Sequence, residues 1–266
     1  VRAILALLNA GFQTAVSYRV RFMMSLASVL LTVVPVFFVA QALQGMMAPR
    51  IQGEGGDYFA FLILGFLVMA LAYPAIDALP SQVGGDIKNG FFEALVGAPA
   101  GIPAVLVGLV AYPIAIALVR AGLMLATSVL LGVDVAWPYL PNALLIVVLL
   151  VAAHFGIGLI ATAAVIAFRT TLSLPQLLST GSALLGGVYW PTSVIPSWLQ
   201  KLSDAFPVSY GLRALRRVAL DGQGLAAVRD DLLTLTAFAG FLLSVGVLAM
   251  ASALAQARRR GTLSQY

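Results

Sequence analysis

An all-α integral membrane protein is the fold class this chain predicts, on three observations. Hydrophobic residues make up 61% of its 266 residues and charged residues only 9%, whereas soluble domains run about half apolar and about a quarter charged. Mean hydropathy is +1.02. The apolar residues also fall in continuous runs of membrane length, not in the short alternating segments of a barrel. Backbone groups find no partners in hydrocarbon, so runs of this kind fold as helices.

At the start, residues 2–18 place Arg2, Asn9, Gln13 and Ser17 on one side of a helix, with Ile4, Leu7, Leu8 and Ala15 opposite. Two readings stand for this stretch. It forms an interfacial helix over 1–21 lying flat at the headgroup level, or a short helical lead-in to the first span. No removable signal peptide is expected, because no short apolar core is followed by a small-residue cleavage site. Six spans are then expected, near 22–45, 58–80, 101–131, 141–168, 174–191 and 231–256. The third is long enough to tilt or to extend beyond the hydrocarbon. Together they make a single transmembrane domain over 1–266, with both termini on one side.

Charge sets the orientation. The net charge of +5 does not form the basic face that nucleic acid requires. Arg2, Arg19, Arg21 and Arg258 to Arg260 instead flank apolar runs, the pattern that fixes topology. Termini inside put these residues, Lys88 and Arg169 in the cytoplasm, in the inner membrane of the cell. Outside lie Arg50 and the segment 192–230, which carries Lys201, Arg213, Arg216, Arg217 and Arg229. That segment is no plain loop. Trp190 and Trp198 bracket Pro191 and Pro196, and tryptophans favour the membrane–water interface. From Pro207, Leu212, Leu215 and Ala219 share one side. The expectation is a re-entrant hairpin followed by a helix on the outer surface, with Trp190, Pro196, Trp198, Arg213, Arg216 and Arg217 as its marker residues.

Between spans two and three lies a polar, glycine-punctuated island from Ser81 to Pro99. It holds Asp86, Lys88 and Glu93 beside an apolar ridge of Phe91, Phe92 and Leu95. Such a ridge with flanking charge suits docking of a helix into a groove.

The chemistry of an enzyme is missing. There is no cysteine and one histidine, His154, so no metal site is expected. Neither a Gly-x-Ser-x-Gly elbow nor a Gly-x-x-x-x-Gly-Lys-Ser/Thr loop occurs, since Lys88 and Lys201 are followed by Asn and Leu. ATP chemistry is therefore not expected in this chain. Asp77, Arg120 and His154 are ionisable groups in or near spans, where charge usually faces an interior or a water-filled path. Arg120 and His154 sit at comparable depths, either as a gating pair on a translocation path or as a structural pair between helices. Asp77 belongs near the cytoplasmic surface. Small residues recur every four positions at Ser179, Ala183 and Gly187, and again at Ser182 and Gly186. That spacing permits close helix approach, at a subunit interface, a gate or an ordinary packing seam.

Two motifs carry a resemblance. Gly90-Phe-Phe-Glu-Ala-Leu-Val-Gly-Ala-Pro99 is similar to the Gly-Thr-Leu-Glu-x-Leu…Pro element of type-2 ATP-binding-cassette exporter permeases, with Phe91 and Phe92 where Thr and Leu are usual. Gly187 to Gln200, followed by Pro207 and Ala214-Leu-Arg216, resembles that family's region from span five to its outer helices. The resemblance implies a coupling helix over 82–99, formed by Asp86, Lys88, Gly90, Phe91, Phe92, Glu93, Leu95 and Pro99 and seated in a separate ATPase subunit. It further implies two ATPase copies that hold ATP and magnesium, a second permease copy making a homodimer in membrane lipid, and outward transport by alternating access. A drug, a lipid or a lipid-linked glycan fits as cargo. The competing readings are an ion-coupled secondary transporter, which would show internal repeats, and a non-transporting membrane scaffold.

Overall fold

The computed structural model describes residues 2–91, 101–168 and 174–259. Phe92, Glu93, Leu95, Pro99 and Arg169 lie outside them. Nine α-helices occur among the described residues: α1 Arg2–Ser17, α2 Arg19–Met47, α3 Tyr58–Lys88, α4 Ile102–Leu130, α5 Leu140–Phe168, α6 Leu174–Leu185, α7 Ser197–Ser203, α8 Pro207–Ala219 and α9 Arg229–Arg259. Among these residues there is no strand.

Five of the helices are long and apolar enough to cross a membrane: α2, α3, α4, α5 and α9, three of them with a short helical turn added at one end. This makes the chain a multi-pass membrane protein. The expected fifth span, 174–191, differs from the others. Its described helix is the 12-residue α6, about 18 Å at 1.5 Å per residue and short of the roughly 30 Å hydrocarbon core. The apolar run continues to Trp190, but the helix stops before it. Gly187 adopts φ 84°, a left-handed conformation that ends helices and favours glycine.

α3 is the most enclosed helix, with buried residues on every side from Tyr58 to Gly84. It packs on α4, α5, α2 and α6, while α5 packs on α9 and α8. Small residues set the closest approaches. A Cβ at Gly158 would lie 2.5 Å from the Ala75 carbonyl oxygen of α3, and one at Gly156 would lie 2.6 Å from the Leu242 backbone of α9. Backbones this close gain dispersion along the seam without an apolar driving force from water. The small-residue face of α6 works in the same way. Ser179, Ser182, Ala183 and Gly186 are buried, and Gly186 faces Val208 of α8. This face is thus covered within the chain.

Three expectations change in detail. First, α3 does not end near residue 80 but continues through Asp86 to Lys88, despite Pro74 and Pro80. The first residues assigned to a separate coupling helix over 82–99 are therefore the last two turns of α3. Asp77 consequently has three more helical turns beyond it. Second, α1 is helical but runs along α4: Gly108 meets Leu7 and Gly11 meets Tyr112. The contacts advance by four residues on both helices, so the axes point the same way over that turn. Third, α8 is enclosed within the chain. Ten of its 13 residues are buried, because it rises between α3, α5 and α9.

Candidate functional site

Where α3 begins, four segments meet around one guanidinium. The sequence places Arg216 four residues after Leu212, on the apolar stripe of α8, and the fold buries it to 1% exposure. An arginine so placed needs partners at every nitrogen. Its Nη1 donates to Glu54 Oε2 at 2.9 Å, and its Nη2 donates to the Phe61 carbonyl at 2.9 Å. Nε also donates to Phe61 O at 3.3 Å, and Nη2 lies 3.5 Å from the Val188 carbonyl. The guanidinium carbon sits 3.3 Å from the centre of the Phe61 ring, a cation–π contact.

Burial lowers the Arg216 pKa to about 10, with Glu54 opposing the fall. The group remains charged at neutral pH, so the contact with Glu54 is ionic. The charge-assisted pair is shielded from water on its arginine side, and desolvation makes it costly to leave half-made.

The surrounding bonds tie the same segments together. Gln44 of α2 donates to Gly56 O at 3.0 Å and accepts from Tyr58 N at 2.8 Å. Asp57 caps α3 by accepting from Phe59 N at 2.8 Å. Tyr58 donates its hydroxyl proton to Tyr189 O at 2.8 Å. Leu220 packs against Gly55, while burial raises the Asp221 carboxyl above its ordinary range against a lowering hydrogen bond from the Gly55 backbone. The loop 51–57, the turn at 188–190 and the end of α8 thus form one latch. Nearby, Arg213 pairs with Asp231 at 2.6 Å, and Arg217 donates to Gln223 at 3.0 Å. Trp198 is exposed, while Trp190 is half-buried with its indole N–H unpartnered.

Below the latch, a cleft of about 250 Å³ opens between α3 and α6, lined by Phe66, Met69, Tyr73, Ser179, Ala183 and Leu184 among others. Its walls are largely apolar, and the Ser179 hydroxyl has no partner. Tyr73 marks its far end, with its hydroxyl 3.4 Å from Gln176 Oε1.

Other expected site residues are dispersed. Arg120 and His154 are not brought together. His154 is fully buried in α5, with Nδ1 2.7 Å from the Leu150 carbonyl and Nε2 unpartnered. Arg120 lines a different cleft, against α1 and α2. Equal depth does not specify the direction in which a side chain leaves its helix, which is why the pairing fails. At the opposite end of α3, about 45 Å from Tyr58 by helical rise, Asp86 is half-buried and Lys88, Gly90 and Phe91 are exposed. Among the described residues no cluster of His, Cys, Asp or Glu could hold a metal.

Residues 2–220 match the family model described as ABC-2 type transporter. The linearmycin resistance permease protein LnrN of Bacillus subtilis is 24% identical over 164 residues, which cover 61% of this chain and 42% of that protein's length. The chain thus spans less than half of that relative. With the match covering most of its length, this chain belongs to the ABC-2 type transporter family.

Proposed function

We propose that this chain is the permease subunit of an ATP-binding-cassette exporter, moving a hydrophobic or amphipathic cargo outward by alternating access. The apolar cleft between α3 and α6 carries the reading. Its Phe66, Met69 and Leu184 walls suit hydrocarbon, while Tyr73 and Ser179 offer only a few polar contacts. Family membership implies a separate ATPase subunit, in two copies that hold ATP and magnesium. A second copy of this chain completes the path as a two-fold dimer.

Six crossings fit this arrangement. Gln176 of α6 meets Tyr73, Val188 meets Gly65 and Tyr189 meets Tyr58, so α6 and its turn run antiparallel to α3 towards its first residue. With that as the fifth crossing, both termini lie on the cytoplasmic side of the inner membrane. The latch then faces outside, and the 82–99 segment faces the ATPase. ATP drives transport only by favouring one arrangement over the other, through its differential affinity for the closed ATPase pair.

The test fills the cleft. Thr180 is an exposed lining residue, so Thr180→Trp blocks the path without disturbing the buried seam. Linearmycin is a first cargo, given the relative's name. In vesicles holding the chain and its ATPase, ATP-dependent transport falls roughly tenfold or more, the scale on which pocket shape discriminates. Unchanged transport would remove the cleft from the path.

A further inference from the structure

We propose that the cleft between α1, α2 and α4 is a binding site for the phosphate headgroup of an anionic membrane phospholipid. Tyr18, with φ −98° and ψ 59°, separates α1 from α2. The two helices diverge there while Gly11 keeps α1 tight on Tyr112 of α4. The wedge left between them has a volume of about 420 Å³ and is lined by Arg21, Arg120, Tyr18, Tyr112, Thr14 and Ser25, among others.

Its charge is one-sided. Among the described residues both cations of the cleft are arginines, no carboxylate lines it, and neither arginine forms an ion pair. The Nε of Arg120 is enclosed yet has no acceptor. An enclosed guanidinium nitrogen without a partner carries the full cost of lost hydration, which a bound anion relieves. Guanidinium forks match the oxygens of a phosphate better than a point cation does. Tyrosine, serine and threonine hydroxyls supply further donors.

The rim specifies a lipid. Phe22 and Ile116 line the cleft itself, and Met24 of α2 and Val119 of α4, next in sequence to the lining residues Ser25 and Arg120, are exposed by more than half. A phosphodiester seated between the arginines would lay its acyl chains on this apolar surface, where a soluble anion gains nothing. A zwitterionic headgroup would bring its own cation towards the guanidinium groups, so an anionic lipid is preferred.

The full chain is reconstituted in vesicles of phosphatidylcholine mixed equally with phosphatidylglycerol, extracted gently, and its retained lipids are counted by native mass spectrometry. The expected result is retained phosphatidylglycerol that falls roughly ten- to a hundredfold in Arg120→Gln and in Arg21→Gln, the range for losing a charge-assisted hydrogen bond. Arg21 is exposed at the start of α2, so its variant reports on binding even where Arg120→Gln impairs folding. Arg229→Gln, remote from the cleft, keeps its lipid. Equal retention in wild type and both cleft variants would overturn the site. Displacement of the lipid by inorganic phosphate at matching concentration would overturn the lipid assignment, leaving a site for a free or cargo-borne phosphate.

Discussion

Arg216→Ala is expected to remove most of the folded chain from the membrane. The substitution leaves the part-buried Glu54 carboxylate without its cation, and the Phe61 and Val188 carbonyls lose the guanidinium donor. Breaking a buried pair from one side costs about 3–5 kcal/mol, and loss of the Phe61 ring contact adds to that. Marginally stable domains have a total of only about 5–15 kcal/mol. Glu54→Ala should act in the same direction, because it leaves the less exposed partner charged and unpaired. Arg216→Lys does not rescue, since one ammonium cannot reach Glu54 and Phe61 O in the fork geometry. The double variant Glu54→Leu with Arg216→Met should recover much of the loss, as apolar replacements of buried pairs often do. Thermal unfolding of the purified chain in detergent, run as a double-mutant cycle, checks this. Wild-type stability in Arg216→Ala would mean that the latch holds nothing.

The second large effect is expected at the other end of α3. Glu93→Ala, and likewise Phe92→Ala, should uncouple ATP hydrolysis from transport while leaving the chain in the membrane at its normal level. Both residues lie outside the described ones, and their role rests on the motif from Gly90 to Pro99. What supports it structurally is continuity. α3 runs unbroken from the latch to Lys88, and the next apolar side chain, Phe91, is exposed. A force applied at the Lys88 end would therefore reach the cleft walls and the latch through one helix. Loss of one anchor residue at an interface is worth about 2 kcal/mol, or roughly thirtyfold in affinity. Vesicle flux and ATP hydrolysis measured in parallel read the result. Hydrolysis and flux that both stay normal would remove the segment from coupling.

How far the sequence could be read follows from what kind of signal each feature leaves. Membrane-length apolar runs are local, so the helical class and five long spans were legible. The end of α6 was not, because Gly186 and Gly187 interrupt an apolar run whose hydropathy does not change. The latch lay further from view. Glu54 and Arg216 are 162 residues apart, and nothing local pairs them. One signal was available: Arg216 shares a stripe with Leu212 and Ala219 in a chain with few charges, so its burial and need for an acid could have been inferred. Arg120 and His154 show the reverse error. Their similar depth suggested a pair, but depth leaves the azimuth on each helix undetermined, and the fold directs them to different places.

The proposed function has a separate ATPase drive cargo through this chain. The most direct measurement is flux of a labelled amphipathic cargo in inverted vesicles containing the chain, with and without its ATPase subunit and ATP. Inward accumulation is expected only when chain, ATPase and ATP are all present, with Thr180→Trp lowering it roughly tenfold or more. Accumulation driven by a proton gradient without ATP, and unaffected by removing the ATPase, would contradict it.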